Sequence, residues 1–194
     1  MDNILTTEPL YLAPISAYKI YANTENTYFD ITQQYPKTSF TNRTYILAAN
    51  GALRVSIPLI HQGIEHRKYA DIKISYAEKW QKDHWTSIIS AYRRSPFFEF
   101  YEDDLKQFYQ SEYEYLYQLN IALHNWINQK IDLKKLEIKK QNEQKYQSII
   151  IDKEQTCEPY LQVFSDRFEF QNNLSIIDLL FNLGSKASKN YLLS

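Results

Sequence analysis

The chain is predicted to be a single mixed domain, α/β (or α+β), spanning residues 1–194. N-terminal strands and a β-hairpin come first, followed by several long helices and a late strand. Three observations carry this reading. Apolar residues alternate at period two through LRVSIPL (53–59), just after Asn50-Gly51. From residue 75 the period lengthens to three and four, and a β-rich run, YQSIII (146–151), follows the helices. Strands first, helices next and a strand late belong to layered folds that mix both element types.

The elements follow in order. PLYLA (9–13) is a short apolar run, and Pro14 opens a helical stretch, ISAYKIYA, that ends near Asn23. TYFDI (27–31) alternates and is rich in β-formers. Asn50-Gly51 is a strong two-residue hairpin signal, so 43–48 and 53–59 are predicted to pair around it. YADIKI (69–74) is predicted as a further strand. Ser75 and Glu78 have the spacing of a capping box, predicting a helix from there to about Arg94. Ser95-Pro96 is a second start signal. Ser111 and Glu114 repeat the box ahead of Leu116, Leu119, Leu123 and Trp126, an amphipathic helix over 112–130. Residues 130–147 are rich in Lys, Glu and Gln, a solvated helix extension or a charged connector. Ser175 and Asp178 form a capping-type pair, Leu174 is placed to staple onto Leu179, and Gly184 closes the last helix as a left-handed cap.

Composition excludes several functional classes. Only three Gly occur, so no glycine-rich phosphate loop exists. One Cys (Cys157) cannot form an internal disulfide, and no Cys/His spacing suggests zinc. No apolar run approaches the roughly 20 residues of a membrane span. The N-terminus lacks the basic start and apolar stretch of a secretory signal, so the predicted compartment is the cytoplasm. The sequence calls for no cofactor. Charge is uneven: residues 37–94 hold ten Lys/Arg against four Asp/Glu, whereas 95–129 hold one Lys against six acids. That polarity suits either complementary faces or a basic cleft for an anion. The pI near 6.4 argues against nucleic acid. Seventeen Tyr suit half-wet clefts and interfaces as readily as boundary packing.

Three segments, taken in order, resemble the WbqC-like protein family. They are SFTNRTYILAANG (39–51), KWQKDHWTSIISAYRRSPFF (79–98), and YLQVFSDRFEF with NLSIIDLLFNLG (160–184), the last similar to a Bacteroidetes-type branch. YLAPISAY (11–18) extends the likeness over nearly the whole chain. The resemblance implies a bacterial role in surface-polysaccharide (O-antigen type) biosynthesis, handling a nucleotide-sugar or another phosphorylated small molecule. Many members carry a Gln-Pro-Asn-Tyr-like turn after the first strand; this chain has TTEPLYLAPISAY (6–18) instead.

Candidate site residues follow from side-chain chemistry. Arg43, supported by Asn42 at a strand entrance, offers a planar fork for phosphate or carboxylate, or else makes a surface ion pair. Lys37 joins either arrangement. Trp80, His84 and Ile88 share one helix face and Trp85, Ile89 and Tyr92 its neighbour. That is a core pattern, with His84 at its margin as an acid/base candidate. Lys82, a second anion contact, projects about 200° around the helix from His84, at roughly 100° per residue. Trp80, Tyr92 and Tyr18 are the candidate walls. His61 and His66 flank Glu65 without a third ligand, so no metal site is assigned. Asn120 and His124 are predicted as interhelical hydrogen-bond partners. Cys157 has no nearby base and is not a candidate nucleophile. The expected partner is a small anionic sugar derivative, with no nucleic acid and no membrane span; the oligomeric state stays open. Whether the chain catalyses stays open too. The alternative is a non-catalytic module whose Tyr-rich surface holds a protein or glycan.

Overall fold

A computed structural model describes residues 5–35, 40–60, 67–134, 136–138, 147–148 and 155–194. Among these residues, two sheets and five α-helices form the mixed α/β architecture expected from the sequence. Strands β1 (Leu5–Thr7), β2 (Thr27–Phe29), β5 (Glu137–Ile138) and β6 (Gln147–Ser148) make a small parallel sheet in the order β5-β2-β1-β6. Strands β3 (Arg43–Ala48) and β4 (Gly51–Ser56) make the hairpin.

Helix α1 (Ile15–Ala22) starts where Pro14 predicts. Its first turn is capped from across the chain: Asn173 Oδ1 accepts the Ser16 N–H at 3.0 Å. Backbone bonds from Ile15 N to Leu174 O and from Ile176 N to Ala13 O tie this start to that of α5 (Ile176–Leu193). Helix α5 packs on α1 and on α4 (Leu116–Ile131), while α2 (Trp80–Tyr92) packs on α3 (Glu102–Gln110) and on β3. The core between them is aromatic: Tyr11, Tyr18, Tyr69, Tyr92, Phe29, Phe98 and Phe181 are all fully buried.

Several boundaries differ from the prediction, each for a physical reason. Ala48 pairs with Gly51, so the hairpin connection is Ala49-Asn50 and Gly51 opens β4. A Cβ at Gly51 would meet nothing within 4 Å; its φ of 104° selects glycine by conformation. Val55, Ile57 and Leu59 face the core as alternation predicts, but Leu53 lies beyond it and is exposed. Tyr69–Asp71 is a 3-10 turn rather than a strand, and beyond it Lys73 and Ile74 make isolated bridges to Tyr115 and Leu59.

Helix α2 begins at Trp80, not at Ser75. The Ser75 N–H is spent on Pro58 O, so the capping box never forms. Ser95 ends α2 instead of starting a helix, with its N–H and its Oγ–H both donating to Tyr92 O. Ser111 donates to Gln107 O and Glu114 pairs with Lys73 at 2.7 Å. Helix α4 therefore starts after Tyr115, whose N–H is taken by Gln118 Oε1.

Helix α4 stops at Asp132, left-handed at φ 60°, and the charged stretch beyond it contains β5 rather than a helix extension. Gly184 takes φ 73°, but a second helical half continues to Leu193. The Phe97 ring lies where a Gly184 Cβ would stand, 2.8 Å away, so glycine is required there by space as well as by conformation.

Candidate functional site

The residues singled out in the sequence fall into four places. Asn42 and Arg43 sit at the base of the hairpin. Asn42 Nδ2 donates to Ile57 O at 2.9 Å and Asn42 O accepts the Ile57 N–H, so this residue locks the two strands together. Arg43 is half-buried opposite Ser56, and its charge acts on the Tyr35 phenol. Lys37 lies outside the described residues, as do His61, Glu65 and His66.

Tyr92 is fully buried at the far end of α2. Its hydroxyl accepts the Leu47 N–H at 3.1 Å and lies against Asp178. Asp178 is no helix cap. Its carboxylate accepts the Tyr160 hydroxyl and Gln162 Nε2 (3.0 Å), and burial raises its pKa. Tyr18 is buried on α1, with its hydroxyl 3.2 Å from His124 Nδ1. Trp80, Tyr92 and Tyr18 are thus core residues, and none lines a described cleft.

The fourth place is the middle of α2. His84 is 5% exposed, and its Nδ1 lies 3.0 Å from the Tyr11 hydroxyl, which lies 2.7 Å from the Tyr109 hydroxyl. Trp80 packs edge-on to the imidazole with ring centroids 5.2 Å apart, and its Nε1–H has no hydrogen-bond partner among the described residues. Desolvation lowers the His84 pKa to about 4, only partly offset by the Ser56 backbone and the Asp83 charge. The ring is therefore neutral near pH 7, with one ring nitrogen able to accept a hydrogen bond.

Tyr109 leads outward. It lines a cleft of about 410 Å³ between α2 and α3, together with Tyr76, Trp85, Lys79, Lys82 and Lys106. Glu78 and Glu112 also line it, so lysine exceeds acid by one. None of the three lysines forms an ion pair with a described residue. His84 and Lys82 do diverge around α2, as helical geometry predicts. The hydroxyls of Tyr11 and Tyr109 connect the buried ring to a residue, Tyr109, that also lines the cleft.

Sequence reasoning missed Tyr11, Tyr109, Lys79 and Lys106, because they come together only when α3 and the segment before α1 fold against α2. It also missed Glu8. This half-buried carboxyl follows β1 directly, at the carboxyl end of a parallel strand, where α/β sheets commonly hold ligands. Burial raises its pKa, and its charge acts on the buried Tyr21 and Tyr69. Beside it Asn120 Nδ2 bonds Pro9 O, Thr41 O and Tyr69 Oη, a loop-fastening role rather than an interhelical one. His124 does bridge helices, from α4 to Tyr18 on α1. Cys157 is buried and its thiol pKa raised by that burial.

The site is thus framed by a small parallel sheet, a hairpin with Asn42-Arg43 at its base, and α2 packed on β3. The chain belongs to the WbqC-like protein family, whose sequence model matches residues 11–156. No curated protein and no solved structure matches it. No helix among the described residues is long and apolar enough to cross a membrane.

Proposed function

We propose that the chain binds a phosphorylated sugar derivative, of the nucleotide-sugar kind, in the lysine cleft between α2 and α3, and acts in surface-polysaccharide biosynthesis. The observation that carries this reading is the coincidence of two features at one wall. Lys79, Lys82 and Lys106 have no ion-pair partner among the described residues and stand beside Tyr76, Trp85 and Tyr109, and Tyr109 is hydrogen-bonded through Tyr11 to His84. Ammonium groups favour an anionic headgroup and the aromatic faces favour a sugar or base. In this reading His84 is the proton acceptor at the inner end of the chain, and the two phenols carry the proton to it. Arg43 lies elsewhere on the hairpin and is kept as a candidate anion contact only for a ligand long enough to reach it.

Titration calorimetry with a panel of nucleotide-sugars and sugar phosphates tests the proposal. Binding is expected, weakened about tenfold by Lys82→Ala or Lys106→Ala, the loss of roughly one charge-assisted contact. Silence across the panel overturns it. The second reading, a non-catalytic module for a glycan or protein, is favoured by Phe100 and Leu161, which are 75% and 72% exposed. Oligosaccharide binding abolished by Phe100→Ala and indifferent to Lys82→Ala would establish that reading instead.

A further inference from the structure

A larger cleft, of about 580 Å³, opens at the far end of α2 from the lysines. Arg93 and Arg94 project into it from the end of the helix and Arg167 from the turn at 163–167. Ile89, Val163 and Phe164 give it an apolar wall. Its one acid is Asp166, so arginine exceeds acid by two. Among the described residues that acid pairs with Arg167 alone, at 3.7 Å, and both side chains are more than half exposed, so the contact opens at little cost. Arg93 and Arg94 have no ion-pair partner among the described residues.

Part of this arrangement has a simpler cause, since basic groups just past a helix C-terminus complement its dipole. That accounts for Arg93 and Arg94. It does not account for Arg167, which comes from a separate segment and lies on the same cleft, its guanidinium 5.8 Å from the Phe164 ring centre. Three guanidinium forks arriving from two elements suit a tetrahedral oxyanion, which presents oxygens in several directions. A planar carboxylate would engage only one or two of them. The apolar wall further requires that the anion carry a hydrophobic body. Val163 to Arg167 also lie beyond residue 156, outside the stretch that the family's sequence model matches.

We propose that this arginine cleft is a second binding site, for a phosphate group borne on an apolar or aromatic body. The same chemistry is offered by a free organic phosphate and by the headgroup of an anionic lipid. The site is independent of the lysine cleft, with which it shares no lining residue.

The test uses the full chain with 1-naphthyl phosphate, inorganic phosphate, and phosphatidylcholine vesicles with or without phosphatidic acid. Naphthyl phosphate should bind at least tenfold more tightly than inorganic phosphate, since only the former fills the apolar wall. Arg94→Ala and Arg167→Ala should each weaken it tenfold or more, and Lys82→Ala should leave it unchanged. Both arginine variants should melt with the wild type, because those side chains are exposed. Co-sedimentation with the phosphatidic-acid vesicles while naphthyl phosphate stays silent identifies the source as lipid; the converse identifies a free phosphate. Binding of neither probe overturns the proposal, as does binding that survives both arginine substitutions. Loss of sugar-phosphate binding in Lys82→Ala bears on the lysine cleft alone, so the two readings fail separately.

Discussion

The molecule contains the same pair twice. In each, a histidine buried in a long helix sets Nδ1 against a tyrosine hydroxyl: His84 against Tyr11 at 3.0 Å and His124 against Tyr18 at 3.2 Å. Both rings are 5% exposed and both are driven neutral by desolvation, to a pKa of about 4 for His84 and about 3 for His124. They differ in what lies behind the tyrosine. Tyr18 stacks on its imidazole, with Tyr21 and Phe29 edge-on around it. His124 Nε2 then meets Asn128 Nδ2 at 2.9 Å, and Asn128 Nδ2 reaches Lys134 O just past α4. That chain closes on the protein's own backbone. The chain from His84 runs instead through Tyr109 to a cleft lined by lysines. Burial and a depressed pKa thus do not by themselves mark a working histidine; the destination of the hydrogen bonds separates the two.

The largest expected effect is on what the two histidines share. An unfolded histidine takes a proton near pH 6.5, while these rings in the native state wait until about pH 4 and about pH 3. Between those values the unfolded chain binds more protons, so stability falls as pH drops. From pH 7 to pH 5 each ring should account for roughly 2 kcal/mol, about 4 kcal/mol together. Asp178 and Glu8 act in the opposite sense. Their native pKa values are raised, so the native state binds protons more readily and is favoured by acid. Urea unfolding at the two pH values, on wild type and His124→Gln, checks this. The wild-type stability should drop and the variant should lose about half of that dependence. A wild-type midpoint that does not move would mean that the rings are not held neutral.

A smaller effect should split the pair. Tyr18→Phe leaves His124 Nδ1 without a partner in a sealed pocket, a loss of about 1–3 kcal/mol. Tyr11→Phe removes an equivalent bond, but Tyr109 lines the cleft and gives water a route to the stranded groups. The loss there should be about 1 kcal/mol. Equal losses in chemical denaturation would show that the outlet at Tyr109 is closed.

The comparison also shows what sequence could and could not carry. Period-two alternation located the hairpin, and Pro14 and the Leu116–Leu123 spacing located α1 and the body of α4, because local geometry decides those features. The capping boxes failed for the opposite reason. Ser75 with Glu78 and Ser111 with Glu114 have the right spacing, but tertiary partners occupy the groups that a cap needs, Pro58 O taking the Ser75 N–H and Lys73 the Glu114 carboxylate. Strand β1 was illegible because it is three residues long and two of them are Thr, with no apolar alternation to register. Among candidate site residues, His84 and Lys82 stood out by type and spacing on one helix. Their connection did not, since Tyr11 and Tyr109 are separated from His84 by 73 and 25 positions in the chain.

The last prediction concerns a change of environment without a change of stability. If the lysine cleft takes a sugar phosphate, a dianion arrives next to Tyr109, two hydrogen bonds from the His84 ring. The dianion should draw the Tyr109 hydroxyl toward itself, which alters the bond that Tyr11 makes to His84. The ring resonances of His84 should then shift on titration, saturating with the calorimetric isotherm. Those of His124 should stay fixed, because its chain ends at Lys134 O on the protein itself. Histidine-selective NMR on wild type and Tyr109→Phe is the measurement. Tyr109→Phe should bind within a few-fold of wild type, since Lys79, Lys82 and Lys106 remain, yet the His84 response should vanish. Matching shifts in both histidines would indicate a global rearrangement and would dissolve the distinction. A His84 response that survives Tyr109→Phe would mean that the ligand reaches the ring by another path, past Trp80, whose Nε1–H has no partner among the described residues.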